Sequence, residues 1–249
     1  MSRALSLAFA IACYAIFFAT FLYLVIFVGD LAIGGLDLRT VDNPASTLTV
    51  GASVIIDVAL IALFGLQHSV MARQGFKRAW TKFVPPHAER SMYVLLASLA
   101  LIVLFRFWQP IDSIVWSVRN PVLHDLLMLL FWAGFAIVLV TTFLINHFEL
   151  FGLQQAWLHA RGKTAAAPEL REPLFYKWVA HPLYAGFFLA FWATPEMTAG
   201  HLLLAAGFSA YMLVAIRYEE RDLVSLFGTD YERYRGRVGM LVPRFRSRA

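Results

Sequence analysis

The sequence predicts an all-α, polytopic integral membrane protein of about six transmembrane helices, with a C-terminal helical cap on its cytoplasmic side. Three observations predict it. The chain is 60% hydrophobic and only 15% charged, with a mean hydropathy of +0.66; soluble domains of this size carry about a quarter charged residues. Apolar runs near the length needed to cross a ~30 Å hydrocarbon core recur along the chain. The basic residues between those runs fall almost entirely on one side.

The runs cover about Ala4–Val28, Val50–Val70, Met92–Trp108, Leu123–Asn146, Tyr176–Thr194 and Thr198–Ile216. In lipid every backbone polar group needs an internal partner, so each run is expected to be helical. The first is too long for the apolar region of a signal peptide and lacks a small-residue cleavage motif before Asp30, so it reads as a retained span. The one cysteine, Cys13, lies inside it and forms no disulfide within the chain. If the first span runs outward, all but three of the 21 lysines and arginines lie inside; the exceptions are Arg39, Arg106 and Arg119. The positive-inside rule then places both termini in the cytoplasm. Membrane orientation accounts for the net charge of +5 without nucleic acid.

The chain reads as one membrane-embedded domain, 1–249, with four N-terminal spans (1–146) and a catalytic region (147–249). Spans five and six form a hairpin turning near Pro195–Gly200. Beyond them, Tyr218, Glu219, Leu223, Leu226 and Phe227 keep helical spacing. Gly228 is suited to end that helix. Thr229–Glu232 reads as a capping box opening another helix, and Tyr231 and Tyr234 share one face of it.

The stretch YKWVAHPLYAGF (176–187) holds the first candidate site. Proline is favoured at the first turn of a helix and pushes the residue before it out of the helical region. His181 is therefore expected at a helix start, with Pro182, Tyr184 and Gly186 in the first turns. Free amides and the dipole at such an end suit an anion, and Gly186 permits close approach of a ligand or a neighbouring helix. The hairpin should bring His181 near Glu219 and Glu220, whose carboxylates suit ribose hydroxyls, an ammonium or a sulfonium. His68 and His147 sit at the inner ends of spans two and four and are candidates for substrate binding or proton transfer. Arg217 directly follows span six, and Arg73 and Arg90 are able to hold a thiolate or a carboxylate, although charged helix flanks usually just anchor orientation. Asp57 lies inside span two with no assigned role. A haem site built from pairs among His68, His124, His147 and His201 is a competing class, a transporter a weaker one. No spacing points to a metal site.

HPLYAG, followed about 35 residues later by EERDLVSLFGTDYERYRGRVGMLVP, resembles the isoprenylcysteine carboxyl methyltransferase superfamily. FGLQHSVMAR (64–73), ERSMYVLLAS (89–98), NHFELFGLQQ (146–155) and FWATPEMTAGHLLLA (191–205) extend the resemblance, over nearly the whole chain, to its methanethiol S-methyltransferase branch. The resemblance implies S-adenosyl-L-methionine as cofactor, methanethiol as a small volatile acceptor, dimethyl sulfide as product and a bacterial inner membrane as location. It implies cofactor contacts from His181, Pro182, Tyr184, Gly186, Glu219, Glu220, Tyr231 and Tyr234; His68, His147 and Arg217 are the candidates for catalytic roles by their placement at the inner ends of spans. Other thiol or carboxyl acceptors, and an NnrU-type redox role, are the alternatives within the superfamily. One departure stands out. Ala180 occupies the place where the superfamily usually has arginine, so either Lys177 or Arg217 supplies the missing charge or the family's contact is absent here.

Overall fold

The computed structural model describes residues 2–164 and 169–244. Arg246 and Arg248, both assigned to the inside by charge, lie outside the described residues.

Five helices are long and apolar enough to cross a membrane: α1 (Arg3–Val28), α2 (Val50–Ala72), α4 (Pro86–Phe107), α5 (Pro121–Ile145) and α9 (Ala199–Phe227). Their starts follow local chemistry. Ser2, Thr49, Asn120 and Thr198 each accept a backbone N–H from the first turn of the helix they open, and Pro86 and Pro121 occupy first-turn positions of α4 and α5. Short helices follow the C-terminal ends of two of them: α3 (Gln74–Trp80) after α2, and α6 (His147–Leu150) and α7 (Leu153–Ala160) after α5. This is the predicted all-α membrane architecture.

The fifth expected span is different. Tyr176–Thr194 is not one helix. A 3₁₀ turn (Leu174–Lys177) is followed by non-helical backbone to His181, and α8 runs only from Pro182 to Trp192. At 1.5 Å per residue its 11 residues cover ~16 Å, about half the hydrocarbon thickness. The cause at its start is local: Pro182 has no N–H for an upstream turn, and His181 holds φ −129°, ψ 65°. At its other end Pro195 cannot donate to the Phe191 carbonyl. The buried His201 ring does so instead, through Nε2 at 3.0 Å. His201 therefore stabilises a helix end.

Non-helical backbone between α8 and α9 is covered by a feature the sequence pattern did not indicate. β1 (Ile114–Ser117) pairs antiparallel with β2 (Glu196–Thr198). Trp116 Nε1 donates to the Thr194 carbonyl at 3.1 Å, and Val118 N to the Pro195 carbonyl at 2.8 Å. Asp42 in the α1–α2 loop accepts from Thr198 Oγ1 at 2.5 Å. Asp57 accepts from Gln109 N at 2.9 Å, so this buried carboxylate holds the chain where it leaves α4.

α8 is short but tightly held. Gly186 faces Gly134 of α5 so closely that a Cβ on either would lie 2.7 Å from the other's carbonyl oxygen. Small residues permit this backbone approach between membrane helices.

The tail corrects the sequence reading in detail. α9 continues unbroken through Tyr218 and Glu219 to Phe227, and Gly228, at φ 56°, ends it. The expected capping box does not form. Thr229 is already the first residue of α10 (Thr229–Arg237), whose N-cap is Gly228, and no side chain caps that end. α10 folds back so that Tyr231, Tyr234 and Val238 pack with Ala180. The chain then runs beside the segment before α8: Gly239 N donates to the Trp178 carbonyl, Ala180 N to the Gly239 carbonyl and His181 N to the Met240 carbonyl, at 3.0, 2.7 and 3.1 Å.

Candidate active site

A cavity of about 470 Å³ opens among α1, α2, α4, α5, α8 and α9, reaching the C-terminal ends of α2 and α5 and the start of α8. Phe17, Phe21, Leu24, Leu101, Phe191 and Phe208 line its apolar part. Arg73, Lys77, Arg90, His181, Glu219 and Asp222 line its polar part. His68, Tyr93, Tyr184 and Tyr211 also border it.

His181 is placed by three local facts: Pro182 begins the helix, the tail backbone holds its N–H, and α9 brings two carboxylates to its ring. Nε2 lies 3.4 Å from Glu220 Oε1, and Nδ1 lies 3.9 Å from Glu219 Oε1. The residue is 3% exposed. Glu219 also accepts from Tyr184 Oη at 2.9 Å, and Glu220 pairs with Arg235 of α10 at 3.0 Å. A buried imidazole between carboxylates, tied to the cap through Arg235, forms a rigid polar wall. Such charge-assisted bonds are stronger than neutral ones. Glu219, unlike Glu220, lines the cavity itself.

His68 holds Tyr93 through Nε2 at 2.7 Å, and its Nδ1 is buried with no partner among the described residues. Phe64 stacks on its ring. The pair lies on cavity-lining surface contributed by α2 and α4.

No family model matches the chain, and no solved structure does. The chain is 49% identical over 243 residues to the methanethiol S-methyltransferase of Mycobacterium tuberculosis (strain ATCC 25618 / H37Rv), an alignment spanning 98% of each. It is 50% identical over 239 residues to methanethiol S-methyltransferase 1 of Bradyrhizobium diazoefficiens, covering 96% of this chain and 82% of that one. The chain belongs to the methanethiol S-methyltransferase family. A more distant likeness, 31% identity over 182 residues, links it to nurim of Xenopus laevis, across 69% of this chain and 62% of that protein. Membership in the methanethiol S-methyltransferase family makes the chain a methyltransferase, and its site must accept a methyl donor.

Not every residue expected at a methanethiol S-methyltransferase site reaches this cavity with chemistry to offer. His147 lines it, yet both ring nitrogens are spent. Thr142 Oγ1 donates to the Leu139 carbonyl, so it accepts from Nδ1–H at 2.8 Å; Nε2 then accepts from Tyr14 Oη at 2.7 Å. The ring also stacks on Phe143. Burial holds this imidazole below its usual pKa. His147 is a pin joining α1, α5 and α6. This also removes the inner His68–His147 pair from the haem reading. The outer pair fails likewise, with His201 bound to a carbonyl and His124 exposed beside Asp125. Among the described residues, no group of three or more His, Cys, Asp or Glu is disposed to hold a metal.

Arg217 and Lys177 point away as exposed side chains and do not line the cavity, so neither supplies the charge absent at Ala180. The cations that do are Arg73, Lys77 and Arg90, from the N-terminal half. Gly186 serves helix packing, and Pro182 sets the helix start. Tyr231 and Tyr234 form the cap's own core. Tyr234 Oη donates to the Tyr176 carbonyl at 2.9 Å, with the Val179 carbonyl 3.2 Å away. Burial raises the pKa of both phenols, keeping them protonated. Lys77, Tyr93, Tyr211 and Asp222 were absent from the expected site. Their signal is faint in sequence, because basic and acidic residues at helix ends ordinarily only orient a membrane protein.

Proposed function

We propose that the chain transfers a methyl group from S-adenosyl-L-methionine to methanethiol, giving dimethyl sulfide, at the cytoplasmic face of a bacterial inner membrane. The observation that carries the reading is a cavity that joins a charged polar part to an aromatic hollow. Its volume falls within the usual range of small-molecule sites, ~300–1,000 Å³. The acceptor follows from the relatives' names, and the side of the membrane from the basic residues.

The residues present fit the donor. Glu219 would accept from its hydroxyl or ammonium groups, Tyr184 would offer its ring face to the sulfonium, and His181 and Glu220 would fix the wall. When bound, S-adenosyl-L-methionine supplies a methyl group activated by a positive sulfur. The protein then has to align and desolvate the reacting atoms; alignment is worth ~7–11 kcal/mol of barrier in well-ordered intramolecular cases. The rings of Phe17, Phe21, Phe191 and Phe208 exclude water from the acceptor side. His68, braced by Tyr93, is the group we assign to the thiol. Methanethiol reaches it from the bilayer without a polar channel, being small and apolar.

Purified protein incubated with methyl-labelled S-adenosyl-L-methionine and a panel of methanethiol, longer thiols, sulfide and prenylcysteine tests the proposal. Labelled dimethyl sulfide in the headspace is expected from methanethiol. Labelled prenylcysteine ester without dimethyl sulfide would overturn the acceptor assignment.

A further inference from the structure

The polar part of the cavity is lined by two signs of charge from different elements. Glu219 and Asp222 belong to α9, while Arg73 sits at the α2–α3 junction, Lys77 on α3 and Arg90 on α4. Not all of these charges are equally available. Arg73 is occupied: its guanidinium lies 3.4 Å from Asp222, Nε donates to the Ser69 carbonyl, and Tyr218 packs beneath it. Arg90 spends only Nε, on the Leu150 carbonyl at 2.8 Å, and lies over the Tyr93 ring. Lys77 makes no ion pair or side-chain hydrogen bond among the described residues, although it is half-buried against the cavity. Burial, then Arg90, pull its pKa down, and the nearby carboxylates Glu89 and Asp222 only partly offset that. An anion arriving at Lys77 would relieve this cost.

We infer that Lys77, with Arg90 beside it, binds the carboxylate of the donor's amino-acid arm, while Glu219 in the same cavity takes the ammonium. A zwitterion uses both signs together: a thiolate needs no carboxylate near it, and an acidic acceptor has no ammonium for Glu219. The inference rests on the reading of the cavity as a donor site and adds the residue that recognises one end of the donor.

Decarboxylated S-adenosylmethionine, which keeps the sulfonium and ammonium but lacks the carboxylate, is the discriminating probe. Affinities for the two ligands would be measured by titration calorimetry on the full chain in detergent. Wild type is expected to prefer the carboxylated donor tenfold or more. Lys77→Met should weaken the normal donor at least tenfold, leave the decarboxylated one within twofold, and so erase the preference; Lys77→Arg should keep most of it. Equal weakening of both ligands by Lys77→Met, or no weakening of either, would overturn the assignment. Arg90→Gln guards against a misfolded first variant, because it should narrow the preference in the same direction; a full preference in that protein would count equally against the clamp. Failure of wild type to bind either ligand would sink the underlying functional reading, a different result from a lost preference.

Discussion

Gly134 and Gly186 touch backbone to backbone across α5 and α8, with no room for a methyl group on either side. This contact fixes the short helix whose first residue follows His181. Gly186→Ala is therefore expected to destabilise the protein by ~1–3 kcal/mol through overpacking. Thermal unfolding in detergent would register it as a lowered Tm, with donor affinity falling because α8 cannot seat. A Tm equal to wild type would show that the helices separate at little cost.

The two inner histidines should behave as opposites. His147→Leu leaves the Tyr14 and Thr142 hydroxyls without their partner and is expected to cost ~1–3 kcal/mol of stability, with KM for donor and thiol unchanged in the protein that folds. His68→Ala should keep donor affinity within about twofold while lowering kcat for the thiol by ~10²–10⁴, the range of positioned acid–base groups. Comparable kinetic losses in both variants would contradict the division of roles.

Glu220 is braced from the cap by Arg235, on a partly exposed side chain. Exposed pairs contribute little to stability, ~0–1 kcal/mol. Arg235→Ala should thus leave the Tm nearly unchanged but weaken donor binding several-fold by freeing the wall beside His181. Isothermal titration decides it; wild-type affinity would mean that the cap does not stiffen the site.

In the α1–α2 loop, burial pushes the Asp42 carboxyl up to about 6, partly offset by the hydrogen bond from Thr198. A raised carboxyl favours the protonated folded form, so this group's contribution to stability falls as pH rises from its ordinary value of 3.8 through about 6. Asp42→Asn keeps an oxygen for Thr198 and is expected to raise the Tm at pH 7.5 while flattening its dependence between pH 4 and 6. An Asn variant less stable than wild type at pH 7.5 would reverse the sign.

The long helices were legible because hydropathy alone specifies them. His181–Pro182 as a helix start was legible too, since proline's missing N–H acts locally. The length of α8 was not: its end depends on Pro195 and on His201 reaching from another helix. His68 and His147 look alike in sequence, both near inner ends of spans, and only the spent nitrogens of His147 separate them. Lys77 was hidden by the orientation rule itself, and Arg73 and Arg90 could be named as anion contacts but not separated from helix anchors, because a cation that lines a cavity and one that anchors a helix read identically. Tyr231 and Tyr234 were assigned to one face correctly, but that face turned inward to the cap.

Met240 presents a side chain to solvent and a carbonyl to His181. Alanine scanning would score that position as dispensable, because every substitution leaves the oxygen where it is. The fastening of the His181 turn is thus written in atoms that all amino acids share, and only chemistry that edits the main chain, such as an amide-to-ester exchange at His181, would expose it.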